Sequence, residues 1–166
     1  RILLDAEVIK EDGSKHYLAV NDAVVARGQL SKTIDLHLPL DGDEISKYRA
    51  DGLLFSTPTG STAYSLSAGG PILAPKMECI LMTPVCPHSL FSRSVLFSGE
   101  SELSVHVKIP DECCCVLTID GEKNVPVLAT DRVVIRKSDL KLKLALLHNR
   151  NFFKLLNDKQ KARDFC

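Results

Sequence analysis

The sequence has no net charge, no long apolar run, no paired-cysteine metal motif and no internal repeat. Its 21 Lys and Arg residues balance 21 Asp and Glu residues. No global field draws such a chain to nucleic acid or to an acidic membrane surface, and neither is expected as a partner. No apolar stretch approaches the ~20 residues that cross a bilayer as a helix. Among Cys79, Cys86, Cys113, Cys114, Cys115 and Cys166 there is no C-x-x-C, and no Cys/His cluster has zinc-finger spacing. Three consecutive cysteines cannot all face one partner in a strand, because side chains alternate sides. Reduced thiols, as in a cytoplasmic protein, are the expectation. A G-x-x-x-x-G-K-[ST] phosphate loop is also missing, since no lysine follows Gly60. His16, His37, His88, His106 and His148 are scattered, in no Ser/His/Asp order and at no metal-ligand spacing. His88, between Pro87 and Ser89, reads as a structural histidine. The chain begins at Arg1 rather than Met, so the natural N-terminus is expected upstream, with any targeting segment it carries.

What is present suits one globular domain, taken here as residues 1–166. The 166 residues are 45% hydrophobic and 25% charged. A domain of that length buries ~70% of the surface its unfolded chain exposes. The dominant pattern has period two. Ile34, Leu36 and Leu38 alternate with Asp35 and His37. Leu103, Val105, Val107 and Ile109 alternate with Ser104, His106 and Lys108. Leu140, Leu142, Leu144 and Leu146 oppose Lys141, Lys143 and Ala145. Each run reads as a half-buried strand. Asp12-Gly13, Asp41-Gly42 and Asp120-Gly121 lie between such runs and suit turns. The expected fold is mainly β over residues 1–147, a two-sheet, β-sandwich-like architecture. Two segments depart from it. Residues 61–69 end in Gly69-Gly70-Pro71 and predict one short internal helix with a glycine stop. Residues 150–163 predict a C-terminal helix, with Phe152, Leu155 and Leu156 at i, i+3 and i+4.

Chemistry concentrates in Ser56-Thr57-Pro58-Thr59-Gly60-Ser61-Thr62-Ala63-Tyr64-Ser65-Leu66-Ser67-Ala68-Gly69-Gly70-Pro71. The segment follows the apolar run Leu53-Leu54-Phe55, so it reads as strand, polar loop and helix start. Glycines let backbone approach a ligand closely, and hydroxyls supply donors and acceptors. On composition alone the plainer reading, an ordinary Ser/Thr-rich turn with a capped helix, is favoured.

Asp51-Gly52 followed by Leu53 through Tyr64 resembles the D-G-x-x-x-S-T-P-T-G-S-T-A-Y signature of NAD kinases. The likeness continues through Ile72-Leu73 and resumes at Thr83-Pro84-Val85-Cys86-Pro87-His88-Ser89-Leu90, similar to the family's T-P-I-C-P-H-S-L. Asn21-Asp22 resembles its N-E/D motif, and Ile119-Asp120-Gly121-Glu122 its I-D-G-Q segment. The resemblance implies an α/β N-terminal domain bearing G-G-D-G-T, followed by a mostly β C-terminal domain. In the family the aspartate of G-G-D-G-T is the proposed general base for the ribose 2′-hydroxyl. These 166 residues contain no G-G-D-G-T, so they correspond to the C-terminal domain alone. Residues 148–166 are then expected to pack on the α/β domain.

The resemblance further implies ATP-dependent, or polyphosphate-dependent, phosphorylation of NAD to NADP by the whole protein. Mg²⁺ would accompany the donor, and the protein would be a homo-oligomer, dimer or tetramer. It implies no catalytic residue in this chain, but a set of NAD-binding residues. Asn21 and Asp22 would contact the adenosine. Thr59, Thr62, Ala63, Tyr64 and Ser67 would line the dinucleotide site, Tyr64 offering a ring face and a hydroxyl. Asp51 would accept from the nicotinamide half, across a subunit boundary. Lys32 and Arg49 suit phosphate, the arginine more so for its fork. Asp120 and Glu122 would close the site. Each keeps a plainer reading beside this one. Asp51 and Asp120 precede glycines and suit turns. Asn21 suits local capping. Lys32 and Arg49 suit a solvated surface. Two rival functions stand as well: a related lipid kinase, against which there is no greasy binding stripe, and a non-catalytic dinucleotide-binding or oligomerisation module.

Overall fold

The computed structural model describes residues 1–28, 33–40, 43–88, 92–108, 115–145 and 152–163. Among the described residues twelve strands follow one another: β1 (Ile2–Lys10), β2 (Gly13–Ala19), β3 (Asp22–Arg27), β4 (Ile34–Leu40), β5 (Asp43–Ala50), β6 (Gly52–Ser56), β7 (Cys79–Val85), β8 (Val95–Ser98), β9 (Leu103–Lys108), β10 (Cys115–Ile119), β11 (Lys123–Val127) and β12 (Arg132–Lys141). They form two six-stranded sheets, ordered β2-β1-β12-β9-β4-β5 and β11-β10-β3-β6-β7-β8. We call these sheet A and sheet B. Every neighbouring pair is antiparallel.

The alternation in sequence is what fills the space between the sheets. Leu4, Ala6 and Val8 of β1, Ile34, Leu36 and Leu38 of β4, Leu103, Val105 and Val107 of β9, and Val133 and Ile135 of β12 point inward from sheet A. Ala23, Val25, Leu53, Phe55, Ile80, Met82, Leu117 and Ile119 meet them from sheet B. A slip of one residue in any of these strands would turn its apolar set to the other face, so register and core specify each other. A smaller cluster of Leu73, Cys79 and Leu81 packs apart from this core, joining β7 to the chain that follows the polar loop.

The loop after β6 contains one 3₁₀ turn, Gly60–Thr62, and one helical turn, α1 (Tyr64–Ser67). Gly69, at φ 86°, ends it in the left-handed region that favours glycine. The second helix, α2 (Phe152–Arg163), begins at an edge-on contact between Phe152 and Phe153, with ring centroids 5.1 Å apart. Both expected helices are thus present. Among the described residues no helix is long and apolar enough to cross a membrane.

One expected strand is corrected. Over the described residues 140–145 the leucine alternation does not continue as a half-buried strand, because β12 ends at Lys141. Leu140 is 60% exposed and Leu144 53% exposed. At that end β12 has outrun β9, whose pairing with it stops at Ile135–Leu103, and keeps β1 as its partner at Ile2–Lys141, so its leucines lie at the margin of sheet A and stay exposed. Leu146, Ile109, His148 and the Asp41-Gly42 turn lie outside the described residues. So do Cys113, Cys114 and Cys166; Cys79, Cys86 and Cys115 carry free thiols.

Candidate functional site

The site begins at a turn. Asp120 and Gly121 join β10 to β11 with φ of 49° and 72°, both left-handed, and Glu122 N–H donates to Ile119 O at 3.0 Å. This is the type I′ geometry that tight hairpins use. Aspartate tolerates the left-handed region because its short polar side chain can bond nearby backbone. Here the Asp120 carboxylate bonds instead to a distant strand entry. It accepts Val20 N–H at 2.8 Å, Asn21 N–H at 2.7 Å and Asp22 N–H at 3.0 Å, while its own N–H donates to Asp22 O at 2.9 Å. The turn is therefore clamped to the start of β3.

The polar loop is tied to the same place. Thr57 N–H donates to Asn21 O at 2.9 Å, Thr57 Oγ1 donates to Val20 O at 2.7 Å, and Gly60 N–H donates to Thr57 Oγ1 at 3.0 Å. A Cβ on Gly60 would stand 2.0 Å from Asn21 O, so only glycine lets the loop lie this close. Ser61 Oγ donates to Pro58 O at 2.7 Å and accepts Leu73 N–H at 3.0 Å. Ser65 and Thr83 join hydroxyls at 3.3 Å beneath α1. These serines and threonines are spent on holding the loop against sheet B.

What remains open is a cavity of about 420 Å³ lined by Asn21, Asp22, Val24, Ala26, Ala63, Tyr64, Thr118, Asp120 and Gly121. That is within the size range of small-molecule sites. Asp22, Val24 and Ala26 are the outward positions of β3, and Thr118 is outward on β10, so the floor is the outer face of sheet B. Tyr64 stands at the lip, 46% exposed. The combination is an apolar floor with amide, carboxyl and hydroxyl groups at its edge, under a partly exposed aromatic ring. It suits a flat polar ring bearing hydroxyls.

Asp22 is the electrostatic centre of the cavity. It is only 4% exposed. Burial, and then the neighbouring Asp120 charge, push its carboxyl up to about 6. Tyr64 is also pushed above the ordinary phenol range, first by burial and then by Cys86, Asp51 and Asp22.

Five of the expected site residues thus converge on one cavity: Asn21, Asp22, Ala63, Tyr64 and Asp120. The other described ones do not line it. Arg49 forks onto Asp35, with Nε and Nη2 at 2.9 and 3.1 Å from its two oxygens. Asp51 is held by Arg27, Nε to Oδ1 at 2.8 Å and Nη2 to Oδ2 at 3.2 Å, yet lies close enough to act on Tyr64. Thr59 accepts from Thr62 Oγ1 within the loop at 3.4 Å. Ser67, the last residue of α1, and Glu122, which closes the hairpin turn, are exposed. Lys32 lies outside the described residues. Sequence reasoning missed Val24, Ala26, Thr118 and Gly121. The strand alternation carried a signal for the first three, since they share parity with Asp22, but it required knowing that β3 lies beside β10.

Among the described residues no group of three or more His, Cys, Asp or Glu side chains is arranged to hold a metal ion. The two carboxylates of the cavity do not make a divalent-cation site either, because Asp120 already serves three backbone amides.

Residues 20–147 match the model of the ATP-NAD kinase C-terminal domain. The NAD kinase of Lachnoclostridium phytofermentans is 39% identical over 165 residues, covering 96% of this chain and 58% of that protein. The NAD kinase of Acidobacterium capsulatum is 42% identical over 164 residues, covering 97% and 56%. In fold the chain is similar to yeast NADH kinase complexed with NADH, with TM-score 0.73 and 35% identity over 83% of this chain and 40% of that one. It is also similar to an NAD kinase from Archaeoglobus fulgidus in complex with ATP, with TM-score 0.68 and 28% identity over 84% and 52%. The chain spans little more than half the length of the relatives it matches. A two-sheet fold, a cavity between the hairpin turn and the Ser/Thr-rich loop, and these matches together make the chain a member of the NAD kinase family, in which it is the C-terminal domain.

Proposed function

We propose that this domain holds the acceptor in a reaction that phosphorylates the adenosine ribose 2′-hydroxyl of NAD to give NADP. The observation that carries the reading is the convergence of Asn21, Asp22, Ala63, Tyr64 and Asp120 on one cavity. The Asn21 amide both donates and accepts, and so suits an adenine edge or a ribose hydroxyl. Asp22 supplies a second polar partner, and Tyr64 covers the ring. Such a site contributes to catalysis by positioning: fixing an acceptor hydroxyl converts an encounter into an intramolecular step.

Asp51, Arg49, Thr59, Thr62, Ser67 and Glu122 form the surround of this site in the complete, oligomeric enzyme, and Lys32 is proposed with them. Asp51 and Arg49 serve the half of the dinucleotide that leaves the cavity, in exchange for the pairings they make with Arg27 and Asp35. The general base, the ATP or polyphosphate site and its Mg²⁺ belong to a G-G-D-G-T-bearing α/β domain, on which α2 packs. We place the complete protein in the cytoplasm.

Titration calorimetry of the chain with NAD tests the reading directly. Binding is expected, weakened in Asn21→Ala and Tyr64→Ala at unchanged melting temperature. Equal affinity in both variants would refute the assignment of the cavity.

A further inference from the structure

The outward face of sheet A carries a feature that dinucleotide binding does not use. Arg132 of β12 lies directly opposite His106 of β9, His106 opposite His37 of β4, and His37 opposite Lys47 of β5. The four therefore form one row across four adjacent strands. With strands ~4.8 Å apart, the row spans about 14 Å. Lys108 stands two residues along from His106 on the same face, opposite Asp35. Arg132, His106, Lys108 and Lys47 are exposed. Like charges directly opposite one another on a sheet cost stability. The proximity has an electrostatic signature: partial burial, then Arg132, then His37 hold His106 below the ordinary imidazole range. Asp35 is an acid beside the row; it accepts the Arg49 fork, and His37 and Lys108 also help hold its carboxyl low.

The row is short and bounded. Towards β1 the same face turns acidic, where Asp5, Glu7 and Glu102 surround Arg136. A long polyanion or a membrane would run from the cationic row onto these acids. Same-face carboxylates of an extended peptide stand about 7 Å apart, too sparse to match a cation on each strand. A compact, densely charged anion matches both the length and the charge.

We propose that Arg132, His106, His37, Lys47 and Lys108 form a binding strip for a small anion carrying two or more linked phosphoryl groups. The strip is on the opposite side of the sandwich from the cavity, so it is separate from the dinucleotide site. Guanidinium and ammonium groups hold the anion at any pH near neutrality, and the His106 imidazole adds charge as it protonates. Binding therefore strengthens as pH falls. The titrating and charged groups facing His106 are Arg132, His37, Lys108 and Asp35.

The test uses inorganic tripolyphosphate, with orthophosphate and hexaglutamate as comparison ligands, read by calorimetry and by the His106 imidazole resonances. Tripolyphosphate is expected to bind about tenfold more tightly at pH 6 than at pH 8 and to raise the His106 titration midpoint by about one unit. Arg132→Gln with Lys108→Gln should weaken it about tenfold or more, and Arg132→Lys much less. Far-UV spectra will show that these surface variants fold. The strip is overturned if tripolyphosphate leaves the His106 resonances unmoved, if the double variant binds as wild type, or if hexaglutamate or orthophosphate binds equally well.

Discussion

Asp120 Oδ1 accepts the backbone N–H of Asn21 at 2.7 Å, although the two residues are ninety-nine positions apart in the chain. The same carboxylate holds Val20 and Asp22, so one side chain fixes Asn21 and the entry to β3, the strand that carries Asp22, Val24 and Ala26 of the cavity. Asp120→Asn keeps one acceptor and substitutes a donor where three amides converge. It should lower the unfolding free energy by about 1–3 kcal/mol. Urea denaturation reads this, and an unchanged midpoint would remove Asp120 from its structural role.

Asn21 is bonded through its backbone at both N–H and C=O, so only its side-chain amide remains for a ligand, and the residue lines the cavity. In the complete enzyme Asn21→Ala should lower kcat/KM for NAD roughly 2- to 100-fold, the equivalent of one or two hydrogen bonds. Melting temperature should move little. Tyr64→Ala should act likewise on NAD and leave KM for ATP nearly unchanged. A pair of variants that melt early yet use NAD normally would contradict the assignment.

Gly60→Ala would drive a methyl group to 2.0 Å from Asn21 O. The loop and β3 must then separate, at a cost of about 1–3 kcal/mol or more, and the cavity must widen. Differential scanning fluorimetry and NAD affinity should fall together. Loss of neither would show that the loop does not need this close approach.

The titration of Asp22 gives a signed pH dependence. Its folded value, about 6, exceeds the unfolded value of roughly 3.9. Between these the folded state binds the proton more tightly, so this group's contribution to stability falls as pH rises from about 4 to about 6 and is constant above. The loss is below about 3 kcal/mol, and smaller where water in the open cavity screens the charge. Glu7, Asp35 and Glu78 are held low, chiefly by Ser14, Arg49 and Lys141 respectively, and contribute the opposite slope. The difference between wild type and Asp22→Asn isolates the term. Urea midpoints at pH 4.5 and 7 should show the variant gaining relative stability at the higher pH; parallel curves would exclude it.

The 166-residue chain alone should not form NADP from NAD and ATP at an enzymatic rate. General-base assistance contributes typically 10²–10⁴-fold, and donor positioning adds to it. A coupled NADP assay decides this. Turnover at an ordinary enzymatic rate would point to Asp22, Asp51 or Asp120 as a base.

Much of this architecture was legible because the core is written in strict alternation. Ile34-Leu36-Leu38 and Leu103-Val105-Val107 face inward as their period requires. Asp120-Gly121 turns as that pair should. The leucines after β12 misled because alternation reports a potential face and not the presence of a layer to cover it. Arg49 shows a related limit. A guanidinium suited to phosphate is equally suited to Asp35, and only the β4–β5 register puts that carboxylate within reach. Sheet order, which sets β3 between β10 and β6 and so makes the cavity, is a relation between distant segments that no local pattern encodes.

The pairing of β1 with β12 has a consequence during synthesis. Ile9 pairs with Arg132 and Leu4 with Lys137, so the first strand of this domain needs nearly the last one. As the chain emerges from the ribosome, β1 and β2 can form their hairpin at once, but the other edge of β1 stays bare until β12 appears. At ordinary translation rates that wait is on the order of ten seconds. An uncovered strand edge is a template for pairing with another chain. The domain's greatest exposure to misassembly therefore falls on its own N-terminal hairpin, well before the ligand cavity exists.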